Sequence, residues 1–282
     1  DAPLAALANQ LDLFRFLSAA FQPGRTMLGS QQLQDVKADL LDAQQKGIRW
    51  KFIAVPEPIQ NLGPAAAEDR FEGYAAERSE ILKFITDNQI SNVVFVAADI
   101  HGTLVNNLTY QTGVNQPQIK TGAFEVVVGP AAYDAPFGPT IVGVAAQLGL
   151  LSQTQVTQYN ALPIKNDADS TVDDKDDFIK SLLNQQFQLL SYDNVGLDGS
   201  PIDATLLQGD YVAVHTFGWT EFEIAKETQV LTVTTYGVPA YTPADVLNNP
   251  AAITARTPAI ASQFRVNPVR SATAIFLPLI QR

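Results

Sequence analysis

The sequence contains no cysteine and has two histidines, His101 and His215. Without cysteine there is no thiol nucleophile and no zinc site of the cysteine type. Cysteine usage therefore gives no information on the redox compartment. Two histidines are too few for a histidine-rich dinuclear centre. A metal ion bound to this chain would need mainly oxygen ligands, or ligands from another segment or chain.

Other signatures are missing as well. No run of about 18 apolar residues occurs, because Asn, Asp or Pro interrupts the longest apolar stretches, so a membrane-spanning helix is excluded on length. A glycine-rich phosphate loop and a G-x-S-x-G elbow are also absent, which leaves nucleotide kinases and serine hydrolases without support.

The charge is strongly one-sided, with a formal net charge of −11 at pH 7. Such a chain repels nucleic acids and anionic membranes, so we expect no nucleic-acid partner. Phosphate esters remain possible ligands, because metal cations and a few arginines can reverse the potential locally.

The apolar pattern predicts an α/β fold. Helices are predicted at 30–46, 74–87, 141–151 and 178–190, and strands at 50–55, 92–97, 103–110, 124–128, 211–217, 222–225 and 230–236. The apolar strands at 50–55 and 92–97 are separated by a helix, an arrangement that favours neighbouring parallel strands. The three late strands predict an antiparallel meander. Beyond Gly237 we expect an irregular Pro- and Asn-rich segment.

Asp99 and His101 follow the apolar strand directly, in the segment Asp99-Ile100-His101-Gly102. Functional groups collect outside the carboxyl ends of strands in α/β sheets. A carboxylate and an imidazole at this spacing can approach one metal ion or one phosphate. The alternative is that Asp99 caps the following turn and His101 is satisfied in a polar network.

Two further features have structural interpretations. The alternation around His215 places it on the face opposite Val212 and Val214, which predicts a histidine on the solvent side or at an interface. The acidic stretch 167–177 lacks the glycine and the closing glutamate of an EF-hand loop. It is predicted to be a solvated loop whose last carboxylates complement the dipole of the helix beginning near Phe178.

Several segments, taken in order, resemble the PhoD-like phosphatase family. Residues 25–33 resemble its R-T-M-L-G-x-x-Q segment, and residues 69–78 resemble D-x-W-x-G-Y-x-x-E-R with Phe71 in place of Trp. Asp99-Ile100-His101 resembles G-D-x-H with Ala98 in place of Gly. Phe124-Glu125 and Gly129-Pro130 are similar to the strand and turn that follow.

The resemblance implies a fold and a chemistry. The fold is an α/β metallophosphatase-like layered β-sandwich flanked by helices. The chemistry is metal-dependent hydrolysis of phosphoric esters, with Asp99 as a metal ligand and His101 as a metal ligand or catalytic phosphate contact. Arg25, whose guanidinium suits phosphate oxygens, and His215 are candidates for substrate contact; Arg25 could instead pair near the following helix. Oxygen ligands favour Ca²⁺, and the family suggests iron beside it.

The resemblance also predicts an organisation. The chain begins with Asp1, and only 24 residues precede Arg25, too few for the family's amino-terminal metal-binding motifs. We therefore expect a processed terminal segment (1–24), the carboxy-terminal half of a metallophosphatase domain (25–236) and an irregular wrap (237–282). The amino-terminal half of the precursor would remain bound as a second chain, and by family analogy the protein would be secreted or periplasmic. The alternative is a non-catalytic fragment or binding subunit that retains the fold.

Overall fold

A computed structural model describes residues 14–63, 67–114, 116–132, 136–165, 167–169 and 171–269. The strands are β1 (Lys51–Ala54), β2 (Val93–Ala97), β3 (Thr103–Tyr110), β4 (Ile119–Val127), β5 (Ala204–Gly209), β6 (Val212–Ala213), β7 (Thr216–Ile224), β8 (Leu231–Pro239) and β9 (Ala259–Val266). The helices are α1 (Gly29–Gln45), α2 (Ala75–Asp87), α3 (Phe137–Gln147), α4 (Gln153–Ala161), α5 (Lys175–Leu189), α6 (Pro243–Asn248) and α7 (Pro250–Thr254). Residues 14–20 are also helical, and residues 1–13 of the predicted terminal segment lie outside the described part.

A mixed five-stranded sheet forms the centre, in the order β1-β2-β4-β3-β6. β1 is parallel to β2, and β2 is parallel to β4, while β3 and β6 are antiparallel to their neighbours. The predicted parallel pairing of the first two strands is confirmed. The continuous apolar run of β2 is explained by burial on both faces of the sheet.

Each face of this sheet packs against a different layer. On one face, Val93 and Phe95 contact apolar residues of α1 and α2 such as Leu40 and Ile81. On the other face, Val94 and its neighbours contact the second sheet, β5-β9-β8-β7. The alternation of β-strand side chains thus builds three layers, helices on a sheet on a sheet. This is the layered α/β sandwich that the sequence predicts.

The remaining helices cover the ends of the strands. A third apolar cluster joins α3, α4 and α5 to residues at strand ends, among them Ala97, Leu104 and Val127. None of the helices in the described part of the chain is long and apolar enough to cross a bilayer. Their packing fixes the edge of the sheet at which β1, β2 and β4 end.

The second sheet differs from the predicted meander. The predicted strands at 211–217 and 222–225 are replaced by one long strand, β7, while Val212 and Ala213 belong to the central sheet. Of the segment 237–282, predicted to be irregular, residues 237–269 are described and contain β9, which lies between β8 and β5, while residues 270–282 lie outside the described part. The strand buries Ala261, Phe264 and Val266, and its polar residues and flanking prolines conceal the pattern in the sequence.

The acidic stretch is only partly solvated. Asp169 and Asp173 are exposed, but the prediction is wrong for Asp174, Asp176 and Asp177, which are buried. The expected match to the helix end is confirmed, because Asp174 caps α5 and accepts the backbone N–H of Asp177 at 2.9 Å. Such a cap satisfies one of the free N–H groups of the first turn.

Two buried side chains of opposite charge hold the loop that follows β1. The carboxylate of Glu125, on β4, accepts the backbone N–H groups of Ile59 and Gln60 at 2.8 and 2.9 Å. The guanidinium of Arg78, on α2, donates to the carbonyl oxygens of Ile59 at 2.5 Å and Thr109 at 2.8 Å. We call this arrangement the loop clamp.

Other carboxylates hold loops in the same way. Glu72 accepts the N–H groups of Leu62 at 2.8 Å and Gly63 at 3.1 Å. Glu77 accepts those of Met27 and Leu28 at 2.7 and 3.0 Å. The 69–78 segment therefore acts in large part structurally, since its acidic residues satisfy the backbone of neighbouring loops.

We predict that Glu125→Ala lowers the free energy of unfolding by about 3–5 kcal/mol, because two buried N–H groups lose their acceptor and Arg78 loses a balancing charge. Urea unfolding at pH 8 measures this, since burial raises the pKa of Glu125 to about 7 and the carboxylate is ionised above that value. Glu223→Ala, an exposed position on β7, is the matched control and should change stability by less than about 0.5 kcal/mol. Equal effects of the two changes would show that the loop clamp does not stabilise the fold.

Candidate functional site

Three loops meet at one edge of the central sheet. Because β1, β2 and β4 are mutually parallel neighbours, their carboxyl ends lie side by side. Glu57 follows β1, Asp99 and His101 follow β2, and Gly129 follows β4. This is the edge at which α/β sheets place functional side chains.

Asp99 occupies a tight turn with an unusual backbone. The strand ends at Ala97, and the N–H of Ile100 donates to the carbonyl of Ala98 at 2.9 Å. Asp99 has φ 71° and His101 has φ 59°, a left-handed conformation that costs about 1–3 kcal/mol for a residue other than glycine. The turn, rather than strand alternation, sets the direction of both side chains. Strain of this kind clusters at functional sites.

Asp99 and Glu57 form a close carboxyl pair. Burial and the neighbouring Asp99, to which it is hydrogen-bonded, raise the pKa of Glu57 to about 7. One oxygen of Glu57, Oε2, is buried, and no hydrogen-bond donor of the described residues reaches it. Two carboxyl groups in contact cannot both ionise easily unless a cation lies between or beside them.

The charge around this pair is unbalanced. Asp69 also acts on Glu57 electrostatically, and Arg70 is the opposing cation. Arg70 is buried and donates through Nη2 to the carbonyl oxygen of Gly63 at 2.8 Å. Three carboxylates beside one guanidinium leave an excess of negative charge when ionised. The Glu57–Asp99 pair offers oxygen ligands of the kind that a hard divalent cation prefers, but no third carboxylate or histidine among the described residues converges on the pair closely enough to form a three-ligand group.

His101 lies next to this cluster in sequence and is half-buried. Its carbonyl oxygen accepts the N–H of Phe137, at the start of α3, at 2.9 Å. The glycine after it is required by packing, because a Cβ on Gly102 would lie 2.8 Å from Cγ1 of Val214 and 2.9 Å from Cβ of Phe137. The turn that carries Asp99 and His101 is thus seated directly against α3.

His215 is in a different environment from the one predicted. It is buried with 1% exposure, so its assignment to the solvent side or an interface is wrong. Its Nδ1 contacts Asp176 at 2.6 Å and its Nε2 contacts the hydroxyl of Tyr159 at 2.7 Å. Burial raises the pKa of Tyr159, so that hydroxyl keeps its proton at neutral pH. Both side chains border a cleft of about 340 Å³, but no described contact joins His215 to Asp99 or Glu57.

Arg25 contacts the Asp69–Arg78 segment. Its Nε donates to the carbonyl oxygen of Gly73 at 2.6 Å, and its guanidinium lies 4.7 Å from the centre of the Tyr74 ring. The structure thus places Arg25 against the segment before α2 rather than against α1, the helix that follows it in sequence. Arg70 is the arginine that acts on the Glu57–Asp99 pair.

Sequence patterns missed Glu57, Asp69 and Arg70 as site residues. For Glu57 a signal existed, since it follows the predicted strand at 50–55 as Asp99 follows the next one, and parallel strands end at the same edge. For Asp69 and Arg70 the resemblance marked the segment, but nothing local indicated which of its charges acts on Glu57. Their placement depends on tertiary packing.

The chain is similar in sequence to known proteins. A family model described as PhoD-like phosphatase matches residues 8–173, a range that includes Glu57, Arg70 and Asp99. Alkaline phosphatase D of Bacillus subtilis (strain 168) is 30% identical over 95 residues, a match that covers 30% of this chain and 15% of that protein. A match to a solved structure described as the structure of PhoD includes 90% of this chain and 37% of the chain in that structure, with 16% sequence identity and a TM-score of 0.46. The chain thus corresponds to well under half the length of these relatives.

We predict that Glu57 titrates near pH 7 in metal-free protein and that Asp99→Asn lowers this midpoint, because a neighbouring negative charge is removed while burial remains. A raised acid pKa means that the folded protein holds the proton more tightly than the unfolded chain. The contribution of Glu57 to stability therefore declines between its ordinary pKa, about 4.3, and about 7. Carboxyl-carbon NMR measures the midpoint, with the exposed Asp39→Asn on α1 as control. A midpoint that is the same in wild type and Asp99→Asn would refute the pairing.

Proposed function

Because this chain belongs to the PhoD-like phosphatase family, we propose that it forms part of a metal-dependent phosphoric ester hydrolase, an alkaline phosphatase or phosphodiesterase. The observation that carries the proposal is the Glu57–Asp99 pair at the carboxyl edge of the central sheet, with the unpartnered buried oxygen of Glu57. Structural alternatives explain hydrogen-bonded carboxylates well, but they leave this oxygen unexplained.

Glu57, Asp99 and His101 are the residues that would hold the metal. Carboxylate oxygens favour Ca²⁺, and an iron ion beside it is suggested by the family resemblance alone. A bound divalent cation would neutralise negative charge on the ester and activate a water molecule. Asp99, held at the tip of its turn, keeps a carboxylate oxygen at a fixed point of the edge.

Arg70 and His101 supply hydrogen-bond donors to the phosphate. Arg70 is buried and anchored by the Gly63 carbonyl, so its position is fixed before a ligand arrives, and its planar fork suits phosphate oxygens. The imidazole of His101 has a donor in each of its protonation states. In an acidic protein, Arg70 together with a bound cation would provide the local reversal of potential that an anionic substrate needs.

We further propose that a second chain, the amino-terminal half of a cleaved precursor, completes the site. The outer edge of β1 pairs with no strand among the described residues, and Phe52 on that strand is 40% exposed. A groove of about 380 Å³ runs beside it, lined by β1 and the apolar side of α1. An unpaired strand edge next to an apolar groove favours addition of a further strand, and this one lies on the strand that leads to Glu57.

We predict that Asp99→Asn lowers kcat/KM for p-nitrophenyl phosphate or bis-p-nitrophenyl phosphate by more than about 100-fold, since loss of a metal ligand exceeds the ~10–100-fold effect of an outer partner. The assay uses the purified native particle, with metal content measured on the same sample. Asp87→Asn removes the same charge from an exposed position at the end of α2, away from the groove beside β1, and should leave kcat/KM within about twofold. Activity of Asp99→Asn equal to the control, at equal metal content, would remove Asp99 from the site.

The mass of the native particle tests whether a second chain is bound. We expect a second chain of similar size beside this chain of 30.5 kDa, together with stoichiometric metal and activity. A single chain that is metal-free and inactive would contradict the catalytic proposal and leave a binding or structural fragment. A single chain that binds metal and hydrolyses esters would support the proposed enzyme activity and contradict the proposal of a second chain.

A further inference from the structure

Three carboxylates meet where the 163–174 connection joins the first turn of α5. One oxygen each from Asp167, Asp174 and Asp177 lie within 4.8 Å of one another. Asp174 and Asp177 are buried, and Asp167 is partly buried. None of the three is among the groups that act on Glu57. We call this group the α5 cluster.

Helix capping accounts for part of the α5 cluster. Asp174 accepts the N–H of Asp177 through Oδ1. Asp176, between them, serves another contact, since its Oδ1 accepts the N–H of Val214 at 3.0 Å and contacts His215 at 2.6 Å. Capping therefore accounts for Asp174, which also accepts the N–H of Asp176, and leaves Oδ2 of Asp177 without a partner.

The buried carboxylate of Asp177 points to a bound ligand. Its Oδ2 is buried without a hydrogen-bond partner, and the residue is 6% exposed. An unpaired carboxylate oxygen out of contact with water is a costly arrangement unless a cation or a proton balances it. Burial and the neighbouring Asp174 raise the pKa of Asp177 to about 7, which shows how poorly the site tolerates an uncompensated charge.

The cations nearby leave the cluster negative. Lys165 pairs with Asp167 and lies 3.6 Å from Asp173. Lys180 donates to both oxygens of Asp210 at 2.8 and 2.7 Å, and although it also favours the ionised form of Asp177, the neighbouring Asp210 opposes that effect. The amino end of α5 contributes about half a positive charge. Three ionised carboxylates exceed the charge of Lys165 and the helix end by more than one unit.

We propose that Asp167, Asp174 and Asp177 bind a Ca²⁺ ion that stabilises the fold. Calcium takes six to eight oxygen ligands at about 2.3–2.6 Å, so opposite ligands lie about 4.6–5.2 Å apart, in keeping with the spacing here. Three carboxylates without nitrogen or sulfur ligands suit this hard cation better than Zn²⁺. Water and nearby carbonyl oxygens would complete the shell.

Such an ion would brace the edge of the sheet through a chain of contacts. It would fix the first turn of α5, where Asp176 holds His215 and the N–H of Val214. The carbonyl of Val214 in turn accepts the N–H of Gly138, beside the Phe137 that bonds to His101. The proposal does not rest on catalysis, because each of these contacts is structural.

The test is calcium-dependent thermal unfolding of the full 282-residue chain after chelation. All variants carry Asp99→Asn, so that calcium at the Glu57–Asp99 pair does not contribute. At a concentration about 100 times Kd, calcium should raise Tm by about 5 °C, and Tb³⁺ luminescence should report one ion per chain. Adding Asp177→Asn should abolish both signals. Adding Asp173→Asn, which removes an exposed charge from the same connection, should preserve them.

The sign of the Asp177→Asn effect distinguishes a cation from a shared proton. With chelator present, Asp177→Asn should raise Tm, because an unpaired buried charge is removed. In saturating calcium it should lower Tm relative to its parent. A rise under both conditions, or no calcium-dependent shift of the parent up to about 10 mM, well above the weakest protein sites, would overturn the proposal.

Discussion

The loop clamp is the interaction on which the edge of the central sheet depends. Glu125 holds the N–H groups of Ile59 and Gln60, and Arg78 holds the carbonyl oxygen of Ile59. A loop of this kind, inside the protein, cannot satisfy its backbone with water. Two charges that would be costly to bury alone become tolerable because each is saturated by peptide groups. Glu57 lies two residues before Ile59, and its position is therefore fixed by the fold rather than by a ligand.

The carboxylates of this chain fall into two groups. Glu72, Glu77 and Glu125 each accept two backbone N–H groups, and they connect loops that are distant in sequence. Glu57 and Asp177 have a buried oxygen with no hydrogen-bond partner and accept no such pair of backbone N–H groups, whereas Glu77 combines the two features, since its other oxygen, Oε1, is also buried without a partner. The first group explains how an acidic chain can use negative charge to organise its interior. The second group marks the positions where the protein alone does not complete the electrostatics.

The sequence predicted the parts of the fold that local pattern determines. The apolar run of β2 and the helical spacing of α2 are strong signals, and the parallel pairing of β1 with β2 follows from the helix between them. β9 was not predicted because Ala, Ser and Gln obscure its alternation of apolar and polar residues. Of the site, Asp99 and His101 were recognisable from their place after a strand. Glu57, Asp69 and Arg70 were not, because tertiary packing brings them together. The prediction for His215 was wrong because the alternation of residues 211–215 shows which face His215 occupies, but it does not show that α4 and α5 cover that face.

The loop clamp also bears on how this chain can change over evolutionary time. Each member satisfies buried peptide groups, so the loss of Glu125 or Arg78 leaves those groups without their partner. Side chains around Asp69, which is exposed, contribute charge without supporting the backbone of the interior. Substrate preference can diverge at such positions while the scaffold stays the same. We therefore expect sequence variation to concentrate at exposed positions around the edge of the central sheet and to be rare in the loop clamp.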